Sequence, residues 1–482
     1  MQQIQALSCF ILISFLPLTG LAQQNSSDLL EGDTWKQQGM NVISEWMNHG
    51  TDQSDGQFHA FMDREWNPYK KGKKYPGMLS RHLFSYSVAY MLSGKHQYLE
   101  EADTLFEYLI NNGWDHEFGG WHYAINNKGK AVDAKKDLFM NIYAATGLSM
   151  YYSITHDKTA LQYIDSTRSL LRNHAWDKEH GGYYRRLDRQ WEVTNDNKVF
   201  TPQIAPVSGY LLYLYAATKK QKYLDQSQKL MTVASQQLQD NELGWIRENF
   251  NRNWRPQAKN KRNEHINIGH NIEVAWIWLR LYAMTGQNTY KQKAEQLYQQ
   301  LHNHAFKSNG AWLHKMGLTK PDQHPQTSAW WIQAYGNMLQ LSMYGYGDRN
   351  KSLDEFEKGS SFWNRAFVDE QYGGTVLSAT LGGKIDRGDK AVRTKTSYHA
   401  MEHALLNYLY LSLWVENKPV ELHFNWDENS NNQPLCPLPI YDSNAVISDI
   451  QPKEHSLTVT SEQDSCISIP ENFNGSITVT IK

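Results

Sequence analysis

Residues 113–123 read GWDHEFGGWHY, and the phrase comes back along the chain. It returns as AWDKEHGGYYRR from 175, LQDNELGWIRE from 238, AFKSNGAWLH from 305 and AFVDEQYGGTV from 366, at intervals of roughly 62 residues. That period is too long for a short solenoid motif and fits a helical hairpin with its loop. Each phrase follows an amphipathic, charged segment such as KTALQYIDSTRSLLRNHAW and precedes, after a polar loop, a more apolar one. The apolar segments are SRHLFSYSVAYMLSG, LFMNIYAATGLSMYYSI, QIAPVSGYLLYLYAAT, GHNIEVAWIWLRLYAMTG, TSAWWIQAYGNMLQLSMYG and TSYHAMEHALLNYLYLSLW.

Six polar-faced helices alternating with six apolar ones, between about Trp35 and Trp414, predict an all-α (α/α)6 toroid in which an outer ring encloses an inner one. A linear solenoid is the competing arrangement. It leaves helices with aromatics on several faces short of neighbours. In the toroid the repeated phrases are hairpins at one rim, and the N-termini of the inner helices open on a central pocket.

The start, MQQIQALSCFILISFLPLTGLAQQ, reads as a secretory leader over residues 1–22, with Ala22 the last residue before cleavage. The expected location is therefore outside the cytoplasm, periplasmic or secreted. Residues 23–418 are assigned to the toroid and 419–482, with alternating stretches such as SLTVTSEQ and SITVTIK, to a small β module that covers it. After cleavage only Cys436 and Cys466 remain, which allows one disulfide. Lys and Arg (48) balance Asp and Glu (50), so no global charge calls for nucleic acid or an anionic membrane. No later stretch is apolar enough to span a bilayer. Seventeen Trp and 28 Tyr suit either a packed helical core or stacking on sugar rings.

Three inner helices carry polar groups at matching depth: Arg81, then His270 with Glu273, then His399 with Glu402 and His403. A toroid aims these positions at one cavity. His399-Ala-Met-Glu402-His403 fits the H-x-x-E-H zinc pattern, but a third ligand is not evident and no metal is expected. Glu273 and Glu402 offer a glycosidase pair only if they face each other across a bond. Two neutral imidazoles with an arginine suit proton transfer at a carbon next to a carbonyl, where one ring removes the proton, the other supplies one, and the cation supports the enolate oxygen.

At these residues the chain resembles the N-acylglucosamine 2-epimerase superfamily, which includes cellobiose 2-epimerases and aldose–ketose isomerases. The resemblance covers roughly residues 35–415 and rests on Arg81-HLFSYSVAY, Gly269-His270-Asn-Ile-Glu273, Trp330-Trp331-Ile-Gln333-Ala334 and Lys395-Thr-Ser-Tyr398-His399. It implies the six-hairpin barrel and no redox cofactor. It also implies His270 and His399 as the acid/base pair, Arg81 as partner of the substrate oxygen, Glu273 as an anchor and Trp331 as a sugar platform. Trp330, Tyr398, Lys395, Glu402 and His403 complete the expected substrate-binding set.

The chain departs from the family on the third inner helix, where Thr201 and Ala205 stand in place of an Asn and a His that handle the open-chain sugar. Thr394 replaces a tryptophan, Tyr335 an acidic residue, and Glu402 and His403 an arginine and a small residue. The loop GGKIDRGDKAVRTK brings Lys384, Arg387, Lys390, Arg393 and Lys395 close to His399, enough to neutralise an acidic sugar. With the leader, these features turn the expectation toward an exported lyase, an oligosaccharide dehydratase acting by β-elimination on uronate-containing products of acidic polysaccharide degradation. A 2-epimerase or aldose–ketose isomerase and a sugar-binding protein without turnover are the alternatives.

Overall fold

The computed structural model describes residues 26–482 except 53–55, 71, 258–264, 319–323, 348, 432, 454–456 and 462–465. The leader expected over residues 1–22 lies outside the described residues. Six outer helices alternate with six inner ones. The outer helices are α1 (Gly32–His49), α3 (His96–Tyr108), α5 (Lys158–Leu170), α8 (Gln221–Val233), α10 (Asn288–Ala305) and α12 (Arg349–Phe367). The inner ones are α2 (Pro76–Ser93), α4 (Leu138–Thr155), α6 with α7 (Phe200–Pro206 and Leu212–Thr218, joined by a π-helical turn), α9 (Ile268–Thr285), α11 (Trp330–Tyr346) and α13 (Tyr398–Tyr410). Outer helices bury one stripe, as α1 does with Trp35, Gly39, Ile43 and Trp46. Inner helices are buried on every side: in α2 every residue from Pro76 to Leu92 is buried. Sequence hydropathy thus sorts the helices into two rings, and α13 packs against α1 and α2 to close the toroid.

The repeated phrases form short hairpins at one rim, closed by bridges Trp114–Trp121, Trp176–Tyr183, Gln239–Ile246, Phe306–Trp312 and Val368–Thr375. Four are fastened to the inner ring by a carboxamide. The side chains of Asn141, Gln203, Asn271 and Gln333 accept from the backbone N–H of Trp121, Tyr183, Ile246 and Trp312 at 2.8–3.0 Å. The aspartate in the phrase makes a second fastening. Asp115, Asp177 and Asp369, all buried, accept N–H groups two and three residues on and hold a buried lysine ahead of the next inner helix: Lys136 at 2.9 Å, Lys198 at 3.0 Å and Lys390 at 2.6 Å. Each also takes an arginine from the neighbouring hairpin unit: Arg189, Arg252 and Arg64. The indole two residues after that arginine, Trp191, Trp254 or Trp66, donates to a carbonyl of the same phrase. Arg64 and Trp66 come from the first unit and meet the last, so the contact between neighbours also closes the ring.

Strands Val420–Trp426, Gly475–Ile481 and Ile447–Gln451 form an antiparallel sheet with the middle range at its centre. Alternate residues Val420, Leu422, Phe424 and Trp426 point inward. The sheet lies against the C-terminal ends of the inner helices: the Tyr90 hydroxyl donates to the Phe424 carbonyl, and the His156 ring sits between Tyr152 and Trp426, 4.8 Å from each centroid. Cys436 and Cys466 are joined by a disulfide. One end of the barrel is covered in this way, and the end with the helix N-termini carries the cavity. No helix among the described residues is long and apolar enough to cross a membrane.

Candidate active site

The central cavity has a volume of about 450 Å3, and the opening turns of all six inner helices line it: Arg81 from α2, Phe139 and Tyr143 from α4, Thr201 and Ala205 from α6, His270 and Glu273 from α9, Trp330, Trp331 and Tyr335 from α11, and His399 from α13. His270 and His399, from helices on either side of α11, both face the ring of Trp331, with centroids 5.4 and 6.1 Å away. Gly269 permits this approach, because a Cβ there would stand 2.3 Å from the Trp331 indole.

His270 stacks on Phe200, with centroids 4.0 Å apart and planes 13° from parallel. Its Nδ1 is hydrogen-bonded to Glu248, which also receives His265 at 3.4 Å. Burial opposes a charge on Glu248, yet His270 and His265 hold its carboxyl well below the usual range. An ionised carboxylate only accepts, so Nδ1 carries the proton of that hydrogen bond and Nε2 is the ring nitrogen left for the cavity. Burial pushes His399 down to about 4, against the pull of Glu402 and with help from Arg81, so its ring is neutral at pH 7. Burial raises the Glu273 carboxyl, partly offset by His270 and by the hydrogen bond it receives from the Ser208 hydroxyl at 2.6 Å. The Arg81 guanidinium lies 3.6 Å from the Tyr143 ring centroid and donates to the Thr394 carbonyl at 2.9 Å, while its Nε has no hydrogen-bond partner among the described residues.

Arg81, His270, His399, Glu273, Trp330 and Trp331 therefore meet at one cavity, and four expected substrate-binding residues do not line it. Lys395 is buried, with Nζ donating to the carbonyls of Thr375 and Lys390. Tyr398 is buried and donates to Glu402 at 3.2 Å. Glu402 lies behind His399, accepting from Tyr213 at 2.7 Å and placing its other oxygen 3.9 Å from His399 Nδ1. His403, one turn further along α13, is wedged between Trp35 and Trp363 with Nε2 3.2 Å from the Asn337 amide. The H-x-x-E-H spacing thus aims its two imidazoles at different surroundings. Of the basic loop, Arg387 reaches the cavity and pairs with Asp389 at 3.1 Å, whereas Lys390 belongs to the Asp369 fastening.

Sequence reasoning missed Glu248 and His314. His314 lines the cavity, and burial drives its ring down to about 3. Both residues end a repeated phrase, two positions after the residue whose backbone N–H is held by the inner-helix carboxamide. Equivalent positions in the other phrases are Tyr123, Arg185 and Leu377, and all five face the cavity or the groove beside it. The signal was in the repeat, but only the hairpin geometry reveals where that position points.

The chain is 25% identical over 394 residues to a cellobiose 2-epimerase of Bacteroides fragilis, a match that covers 77% of this chain and 97% of the relative. It is 20% identical over 367 residues to a D-mannose isomerase of Marinomonas mediterranea, covering 72% and 89%. The solved cellobiose 2-epimerase of Bacillus thermoamylovorans superposes with a TM-score of 0.71 at 19% identity, over 80% of this chain and all of that one, which establishes the shared toroid. The family model for N-acylglucosamine 2-epimerase (GlcNAc 2-epimerase) matches residues 76–403, from the start of α2 into α13, and the chain belongs to that family.

Proposed function

We propose that the protein is a sugar 2-epimerase or aldose–ketose isomerase working on the open-chain aldehyde of a sugar or oligosaccharide. One imidazole takes the proton from carbon 2, and the electrons of that C–H bond form the C1–C2 double bond of an enediolate with negative charge on O1. Arg81 stands where it can hold that oxygen. Return of the proton to carbon 2 from the other face gives the epimer, with O1 again the carbonyl; delivery to carbon 1, with the O2 proton passing to O1 so that O2 becomes the carbonyl, gives the ketose. The observation that carries the reading is the pair of imidazoles from α9 and α13 facing the same Trp331 ring. One is backed by a carboxylate and the other is kept neutral by burial.

The named relatives are epimerases and an isomerase, which supports this reading over elimination. Elimination from a uronate removes a different proton, the one at carbon 5 next to the carboxyl group, and expels the group at carbon 4 as the C4–C5 double bond forms. The test is incubation with cellobiose and with mannose in heavy water, followed by proton NMR. Epimer or ketose with deuterium at the exchanged carbon is expected, and His270→Ala or His399→Ala should lower the rate by roughly 10²-fold or more. No exchange with either sugar, together with an ultraviolet-absorbing product from a uronate disaccharide, would replace isomerisation by elimination.

A further inference from the structure

The cavity does not end at His270. A groove of about 400 Å3 runs beside it and shares Phe139, Phe200, Thr201, His270 and Thr394 as walls. Its remaining lining brings together Arg185 and Arg186 from the hairpin ahead of α6, Lys315 from the strand ahead of α11, and Arg393 from the loop ahead of α13. Among the described residues two carboxylates face the same space, and both are engaged. Asp137 pairs with Arg186 at 3.4 Å, and Glu248 receives His270 and His265. Arg393 donates to a neutral group, the phenol oxygen of Tyr123. Among the described residues no carboxylate forms an ion pair with Lys315 or Arg393.

Guanidinium and ammonium groups donate hydrogen bonds and accept none. A neutral sugar hydroxyl, which both donates and accepts, is poorly matched by such a wall, whereas an anion presents acceptor oxygens alone. Arg393 also adjoins Thr394, whose carbonyl holds the Arg81 guanidinium. An anion bound at Arg393 therefore lies one residue along the chain from the group that positions the cavity's own arginine.

We propose that this groove is a subsite for an anionic unit of an oligosaccharide, a sugar bearing a carboxylate or a sulfate ester, whose neighbouring unit occupies the central cavity. The proposal rests on the sugar-converting reading above, since it takes that cavity to hold the reacting unit. Binding is measured on the His399→Ala protein, where turnover does not interfere, by calorimetric titration with cellobiose, glucuronosyl-β-1,4-glucose and cellobiose 6′-sulfate. At least one anionic sugar should bind roughly tenfold more tightly than cellobiose, a difference of about 1.4 kcal/mol. The one that does identifies carboxylate or sulfate as the recognised group. The preference should shrink in about 0.5 M salt, where the screening length falls to a few ångström. It should vanish when Lys315→Ala and Arg393→Ala are combined; Lys315→Gln with Arg393→Gln replaces that pair if alanine lowers thermal stability. Equal affinity for all three sugars, or a preference that survives the substitutions, overturns the subsite and leaves the sugar-converting reading standing. Deuterium exchange without any anion preference likewise removes the subsite alone, whereas absence of both binding and exchange removes the two together.

Discussion

Behind each of the two cavity imidazoles stands a carboxylate, and the two are held differently. Glu248 bonds directly to His270 Nδ1, whereas Glu402 has one oxygen taken by Tyr213 and Tyr398 and the other 3.9 Å from His399 Nδ1. His270 is thereby fixed in one tautomer and its imidazolium form finds a counter-charge. His399 sits deeper and is held neutral. Glu248→Gln keeps an acceptor of the same shape but removes the charge and permits the amide to present N–H instead. It should lower kcat on the order of 10²-fold, with a smaller change in the KM for neutral cellobiose, since its contribution to the reaction is the hydrogen bond it holds to His270. Parallel steady-state measurements on both proteins check this, and an unchanged kcat would make Glu248 a packing residue.

At the scale of the element, the repeat works as a joint between neighbours. In DREW at 63, DRQW at 188 and NRNW at 251, the arginine and tryptophan reach the preceding phrase around the ring, to Asp369, Asp115 and Asp177 respectively. The lysine in each joint precedes an inner helix whose opening turn lines the cavity, so the joint also positions site residues; Lys198 stands two residues before Phe200, the ring on which His270 stacks. Asp177→Asn retains an oxygen for the N–H groups of Glu179 and His180 and removes the charge that faces buried Lys198. Breaking one side of a buried pair costs about 3 kcal/mol or more, so the variant should melt several degrees lower. A melting temperature equal to that of the parent would mean that Arg252 and solvent leave Lys198 indifferent to the change.

Across the whole molecule the buried imidazoles couple stability to pH. Burial lowers His82, His156, His314 and His403 to about 3 and His399 to about 4. The unfolded chain takes up these protons near pH 6.5, and the folded one does so only at 3 to 4, so between those limits the unfolded state binds more protons. The stability they confer is complete above pH 6.5 and is lost as pH falls through the window toward 4. Thermal unfolding followed from pH 7 to pH 4.5 should show a steadily falling midpoint, with a shallower fall in His156→Leu, whose ring lies between the barrel and its terminal sheet. A flat profile over that range would mean that these rings reach solvent in the folded protein.

The toroid was legible in the sequence because hydropathy is a local property: a helix apolar on all faces must be enclosed, and a striped one must sit outside. Arg81, His270 and His399 were legible for the same reason, as polar groups near the start of helices that are otherwise buried. Lys395, Tyr398, Glu402 and His403 fall outside the cavity lining: Lys395 is tied to carbonyls in the loop ahead of α13, and along α13 His399 meets the cavity whereas His403, one turn on, packs between Trp35 and Trp363. Glu248 and His314 went unseen because their approach to α9 depends on hairpins folding back over the rim. The chain by itself determined which segments are helices, which ring each joins and which imidazoles are available. Only the tertiary structure decided which carboxylate backs which ring and where the cations gather, since both depend on loops from different units converging at one mouth.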